Sequence, residues 1–183
     1  MSTDARLEMI AALGALAPHP SLGEAARVFD RFVGTWDCHC IFYAVDGKKT
    51  EFMGEWIFGW ILDGRLMQDV LRGYPKELES PTPDDLRCGT SVRFYDAKAG
   101  QWNVCWFGSR NGFVIQVKGG TVGERIVLEG DDSDGDPMRW SFNDIKPDSF
   151  LWRGEKSKDR GKNWRVEQEM FLKRRTGVTE ASA

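Results

Sequence analysis

From residue 33 onward the chain alternates without a break between short aromatic and β-branched runs and tight-turn signals. The signals read "VDGKK", "LDGR", "DAKAG", "SRNG", "KGGTVG", "DDSDGDP", "KPD" and "KDRGKN". They cut the chain into about ten strands, at 33–43, 50–61, 65–72, 88–95, 101–108, 112–118, 124–129, 138–144, 149–157 and 163–174. No helix-length segment interrupts the series, so the crossovers that a parallel sheet requires are excluded. Successive hairpins leave raw edges unless the sheet closes on itself. The pattern therefore predicts an all-β fold, an antiparallel up-and-down β-barrel. One connection is long, "GYPKELESPTPDDLRC", and its tip at 76–87 can serve as a lid or a contact surface.

The segment ahead of the barrel reads as helical. Thr3 or Asp4 can cap a helix across Ala5 to Leu16, and "PHP" ends it. Ser21 and Glu24 have the S-x-x-E spacing of a capping box, opening a short helix through about Arg31. Leu22, Ala25, Ala26 and Phe29 share one side of it, so it should cover something apolar. The expected organisation is a helical cover over 1–32, a barrel over 33–175 and a disordered tail over 176–183. "LEMIAALGALAPHP" is a poor leader peptide, because its flank lacks a positive excess and Glu8 interrupts it. A cytoplasmic location is expected.

With 183 residues, 41% of them hydrophobic, the chain can fill one sizeable core. The net charge is −3 and the basic residues are scattered, which argues against nucleic acid as a partner. No apolar run is long enough to span a membrane. Cys38, Cys40, Cys88 and Cys105 are expected as free thiols. "CHC" at 38–40 invites a metal, but on a strand His39 points away from its two neighbours. Neither of the other cysteines completes a zinc spacing, so no metal is expected.

Asp63-Gly64 is a strong short hairpin signal. A two-residue loop pairs Leu62 with Arg65, and the register follows. Trp60 opposes Met67, Phe58 opposes Asp69, and Trp56 opposes Leu71. The other face pairs Ile61 with Leu66, Gly59 with Gln68, and Glu55 with Arg72, the last a solvent-side ion pair. The aromatic face is assigned to the interior, which buries Asp69 and demands a partner for it. A second hairpin, "SVRFYDAKAGQWNVCWF", supplies one. With "AKAG" as its loop, Tyr95 opposes Trp102, Arg93 opposes Val104, and Ser91 opposes Trp106. The candidate ligand-binding set is thus Phe58, Trp60, Met67, Asp69, Arg93, Trp102 and Trp106. Arg139 and Arg153 are weaker candidates for inward projection. Glu55, Glu129, Glu167 and Glu169 read as solvated strand residues.

Two stretches resemble known motifs. "SKDRGKNW" resembles the Asp-box hairpin, which implies a firm turn at Asp159 and a buried Trp164. "FVGTWD" at Phe32 to Asp37 resembles the G-x-W signature of lipocalins and related calycin barrels. In that family the Trp plugs the closed end and a basic residue of the last strand packs over it. By resemblance these would be Trp36 and either Arg174 or Arg175. The spacing of "GEW-F-W-LDGR--QD" is similar to that of an uncharacterised bacterial family of lipocalin-like proteins. Calycin relatives include fatty-acid carriers, haem-binding nitrobindins and a few cofactor-free enzymes, so the fold alone does not give a function.

Ten strands enclose more space than side chains usually fill. The leading expectation is a barrel that binds a small, mostly apolar molecule, with the Asp69/Arg93 pair orienting its polar group. The alternative is a cofactor-free isomerase, cyclase or lyase acting on a hydrophobic substrate in the same cavity. There Asp69 would be the acid or base, and Arg93 and Tyr95 would stabilise negative charge. Haem finds no ligand late in the barrel, because the two histidines are His19 and His39. No cofactor is expected, and the sequence leaves room for a homodimer.

Overall fold

The computed structural model describes residues 4–110 and 112–176. Helix α1 (Asp4–Leu13) leads into a two-residue strand, β1 (Gly14–Ala15). Ten longer strands follow: β2 (Gly34–Tyr43), β3 (Lys49–Ile61), β4 (Leu66–Pro75), β5 (Arg87–Asp96), β6 (Gln101–Gly108), β7 (Val114–Val122), β8 (Arg125–Asp131), β9 (Pro137–Asn143), β10 (Ser149–Lys156) and β11 (Arg165–Arg174). From β2 onward each strand pairs antiparallel with the next. The last, β11, returns to β2 and closes an up-and-down barrel. The ten strands match the sequence reading, with ends shifted by a few residues. Strand β1 lies outside the ring. It pairs with Ile61 and Trp60 of β3, beyond the point where β2 begins opposite Phe58.

The two ends of the barrel differ. One end is closed by the segment before β2, where Ala26, Phe29 and Phe32 are fully buried in short 3-10 turns. Phe32 packs against Trp36, Phe58, Phe142 and Phe150, and Phe29 meets Trp102 edge-on. Trp36 is the plug. Its indole N–H donates to the Phe32 carbonyl at 2.7 Å, and the Arg174 guanidinium lies 4.1 Å from its ring centre. Arg174 also donates to the carbonyls of Arg31, Val33 and Pro147, so one side chain ties cover, barrel and last hairpin together. Arg175 instead bridges Asp37 and Glu55 on the outside. The Glu55–Arg72 ion pair predicted for the solvent side is present.

Several local expectations change. Helix α1 stops at Leu13, and none of its residues is buried, so the cover is the 3-10 segment and not the first helix. The Ser21–Glu24 capping box does not form: Gly23 occupies the N-cap without a side-chain bond. Ser21 bonds His19 and Arg65 instead. A capping box appears at Thr82–Asp85, inside the long connection. The turn at Asp159 is as firm as its motif implies, its carboxylate accepting from the Asn163 backbone and amide. Trp164, however, is only half-buried outside the core, with the Arg139 guanidinium 4.0 Å from its ring centre. Arg139 and Arg153 point outward, paired with Glu129 and Glu169. The expected disordered tail falls, from residue 177 onward, outside the described residues. Among the described residues no helix is long and apolar enough to cross a membrane.

Candidate functional site

The inward face of the β3–β4 hairpin changes character along its length. Toward the closed end it carries Trp60, Phe58 and Trp56, opposite Met67, Asp69 and Leu71. Toward the open end the next inward pair is Gly54 opposite Gly73. The same taper recurs on β5, where Arg93 and Ser91 give way to Gly89, and on β2, where Trp36 gives way to Cys38 and Cys40. Small residues at inward positions leave space. The open half of the barrel accordingly holds a cavity of about 650 Å³. That falls within the range of small-molecule sites.

The wall is largely aromatic and apolar, with Trp106, Trp140, Trp152, Ile115 and Met138 facing the space. Trp106 folds over Gly89, where even a Cβ would come within 2.2 Å of the indole ring. Charge is confined mainly to the mouth. Arg87 and Arg110 lie on the side formed by β5 and the loop after β6, while the guanidinium of Arg72 turns outward to Glu55. Glu155, Lys156 and Glu167 come from β10 and β11. Glu167 reaches the mouth because β11 bulges there: Gly154 pairs with Gln168 but Glu155 pairs with Val166. The sequence pattern makes Glu167 a solvated strand residue, because strand alternation gives no warning of the extra residue.

Arg93 forms part of the floor. It is 2% exposed and donates through Nη1 to Asp69, which is 1% exposed. The two are diagonal neighbours, since Met67 is the residue directly across from Arg93. Asp69 Oδ1 also faces the Ser91 backbone N–H at 3.4 Å. The guanidinium carbon lies 5.2 Å from the Phe29 ring centre and 5.4 Å from that of Phe58. Opposite charge, a backbone donor and two aromatic faces together compensate a pair that is removed from water.

The residues singled out from sequence divide at this floor. Arg93 and Trp106 line the cavity. Phe58, Trp60, Met67, Asp69 and Trp102 are buried in the packed layer toward the closed end and do not line it. Tyr95 packs its ring against Trp102, 5.7 Å away, and is likewise absent from the wall. The wall residues that the sequence reading misses are of two kinds: Ile115, Met138, Trp140 and Trp152 lie on β7, β9 and β10, for which it derives no register, while Trp56, Leu71 and Ser91 lie on hairpins of derived register whose depth in the barrel alternation does not give.

Cys38 and Cys40 face the cavity while His39 lies on the outside, 2.7 Å from Glu51, so "CHC" is split by the barrel wall. All four cysteines are free. Burial pushes the Cys40 thiol up to about 12, although the Gln168 amide pulls the other way, and burial raises Cys38 as well. Away from the cavity, the "DDSDGDP" turn brings the carboxylates of Asp132, Asp134 and Asp136 within 4.8 Å of one another. Two of them are neutralised, Asp132 by Lys156 and Asp136 by Lys158.

Comparison with known proteins identifies the architecture. No family model matches the chain, and no curated protein matches it in sequence. The resemblance to a bacterial family therefore gains no support. Solved structures do match. An S-type phycobiliprotein lyase, CPES, from Guillardia theta aligns over 82% of this chain and 92% of its own, with 11% identity and a TM-score of 0.58. Rv2717c from M. tuberculosis aligns over 85% of this chain and 100% of its own, with 14% identity and a TM-score of 0.62. At those identities the likeness is one of fold, and the fold is a calycin-like β-barrel of ten strands.

Proposed function

We propose that this protein binds a small, mostly apolar molecule in the open half of its barrel, with the buried Asp69/Arg93 pair orienting the ligand's polar group. The observation that carries this reading is the cavity of about 650 Å³, apolar in its walls and charged at its rim. Arg93 and Trp106 would touch the ligand. Phe58, Trp60, Met67, Asp69 and Trp102 would hold the floor rigid beneath it. Four free thiols suit a reducing compartment, and a cytoplasmic location is part of the proposal.

The second reading is a cofactor-free isomerase, cyclase or lyase on the same scaffold. One of the structural neighbours is a lyase by name, which keeps this class in view. The pairing of Asp69 with Arg93 weighs against it, because a carboxylate committed to a guanidinium is a poor proton carrier. The test is titration of the protein with a fluorescent apolar probe such as diphenylhexatriene, alongside the Ile115→Trp variant, which places a bulky ring in the wall. Wild type should bind one equivalent and the variant should not. Failure of folded wild type to bind any apolar probe would remove the proposal.

A further inference from the structure

We infer that the ligand is an amphiphilic anion, an apolar body ending in a carboxylate or another oxyanion, and that Arg87 and Arg110 hold that end at the mouth of the barrel. This rests on the ligand-binding reading above and adds a charged group at the ligand's outer end, remote from the polar group that meets the floor. Both arginines line the cavity and both are exposed. On β5 the inward positions run Arg93, Ser91, Gly89, so the next one outward is Arg87. Gly73 of β4 lies directly across from Arg87, and the Arg87 guanidinium carbon is 6.0 Å from the centre of the Phe52 ring on β3. The side chain thus crosses β4 at its glycine and lies at the opening. Arg110 comes up beside it. Gly89 pairs with Gly108 and the Ser109 N–H donates to the Cys88 carbonyl at 3.0 Å, which brings Arg110 opposite Arg87 at the end of the β5–β6 pair.

Like charges at opposite strand positions repel. Neither guanidinium forms an ion pair among the described residues, and Arg110 meets only the Pro83 carbonyl, at 3.4 Å. Asp85 lies close enough to feel both charges, but its carboxylate is turned to the Thr82 N–H and hydroxyl. The far side of the mouth is balanced differently. Lys156 pairs with Asp132 and Glu167, and Glu167 also pairs with Arg165, which leaves Glu155 without a cation. The rim is therefore polarised, with spare positive charge on the β5–β6 side and spare negative charge opposite. An anion bound between the arginines relieves their repulsion and stays clear of Glu155, while its apolar body enters the cavity below. Arg87 and Arg93 are six residues apart on β5, about 20 Å of strand, so an extended body fits between mouth and floor.

The experiment measures displacement of bound diphenylhexatriene at neutral pH by decanoate, decanol and decyltrimethylammonium, each below its micelle concentration. Decanoate should bind about tenfold more tightly than decanol, the scale of two partly exposed ion pairs. That ratio should shrink at high salt. Arg87→Gln together with Arg110→Gln should bring it to about one and leave decanol affinity unchanged. Arg125→Gln, which removes an exposed β8 arginine outside the cavity, should leave the ratio at its wild-type value. Equal binding of decanoate and decanol would overturn the inference and leave the cavity reading standing. So would a preference for the ammonium, which would place the head group at Glu155. A carboxylate preference that survives the double substitution, or that Arg125→Gln removes equally well, would also overturn it. Folded wild type that binds no diphenylhexatriene would remove the cavity reading, and this inference with it.

Discussion

At the scale of single residues, Trp36, Asp69 and the cavity thiols each make a separable prediction. Trp36→Ala removes a buried indole, a hydrogen bond and the surface under Arg174. It should cost about 3–5 kcal/mol in urea melts, the usual scale for truncating a large buried aromatic. Asp69→Asn nearly keeps the shape but strands a buried guanidinium, and should cost about 3–5 kcal/mol. Replacing both members, as Asp69→Leu with Arg93→Met, should recover most of that loss, because neither charge is then left unpaired. The thiols predict a pH dependence. A thiol whose folded value is raised contributes stability that is complete below its unfolded value, about 8.5, and is lost as pH rises through the folded value. With Cys40 raised to about 12 and Cys38 also raised, the urea midpoint should fall as pH climbs from about 9 toward 12. The same series on Cys38→Ala/Cys40→Ala should show a shallower fall.

At the scale of elements, the β3–β4 hairpin shows how far sequence reasoning reaches. Its register was legible because Asp63-Gly64 fixes the turn, and one slip would move every aromatic to the other face. The Arg65 N–H closes that turn onto the Leu62 carbonyl at 3.1 Å, with Asp63 and Gly64 both at positive φ. The close approach of the two strands at Gly54 was not legible. A Cβ on Gly54 would lie 2.0 Å from the Arg72 carbonyl and 2.5 Å from the Gly73 Cα, and backbone cannot step aside as a side-chain tip can. Gly54→Ala should therefore force β3 and β4 apart and destabilise by about 1–3 kcal/mol, the range for overpacking a tight contact. Gly59, on the same strand with open space at its Cβ, is the control, and Gly59→Ala should leave the melt nearly unchanged.

For the molecule as a whole, one end is filled and the other is open. Phe29, Phe32 and Trp36 occupy the closed end, and cysteines, glycines and Ser91 leave the opposite half hollow. A ligand held there binds the folded state alone, so it should stabilise the whole barrel in proportion to its affinity. A probe at about 100 times its dissociation constant should add about 2.7 kcal/mol, visible as a rise in melting midpoint that Ile115→Trp abolishes.

The sequence by itself determined the ten-strand meander, its turns, the Trp36 plug and the burial of Asp69 beside Arg93. The meander, its turns and the buried pair follow from local signals, namely turn chemistry, alternation and the cost of burying a lone charge, whereas the Trp36 plug follows from the resemblance of its segment to the calycin G-x-W signature. It also contained the taper from Trp56 to Gly54, but not its meaning. Small inward residues make a cavity only at the end that the 3-10 segment does not fill, and the path of that segment over one mouth is a tertiary fact. The same holds for the division of the site residues. Alternation says that Phe58, Trp60, Trp102 and Arg93 all face inward. How far each sits from the closed end, and so whether it meets packed aromatic rings or open space, depends on how ten strands are staggered around the ring.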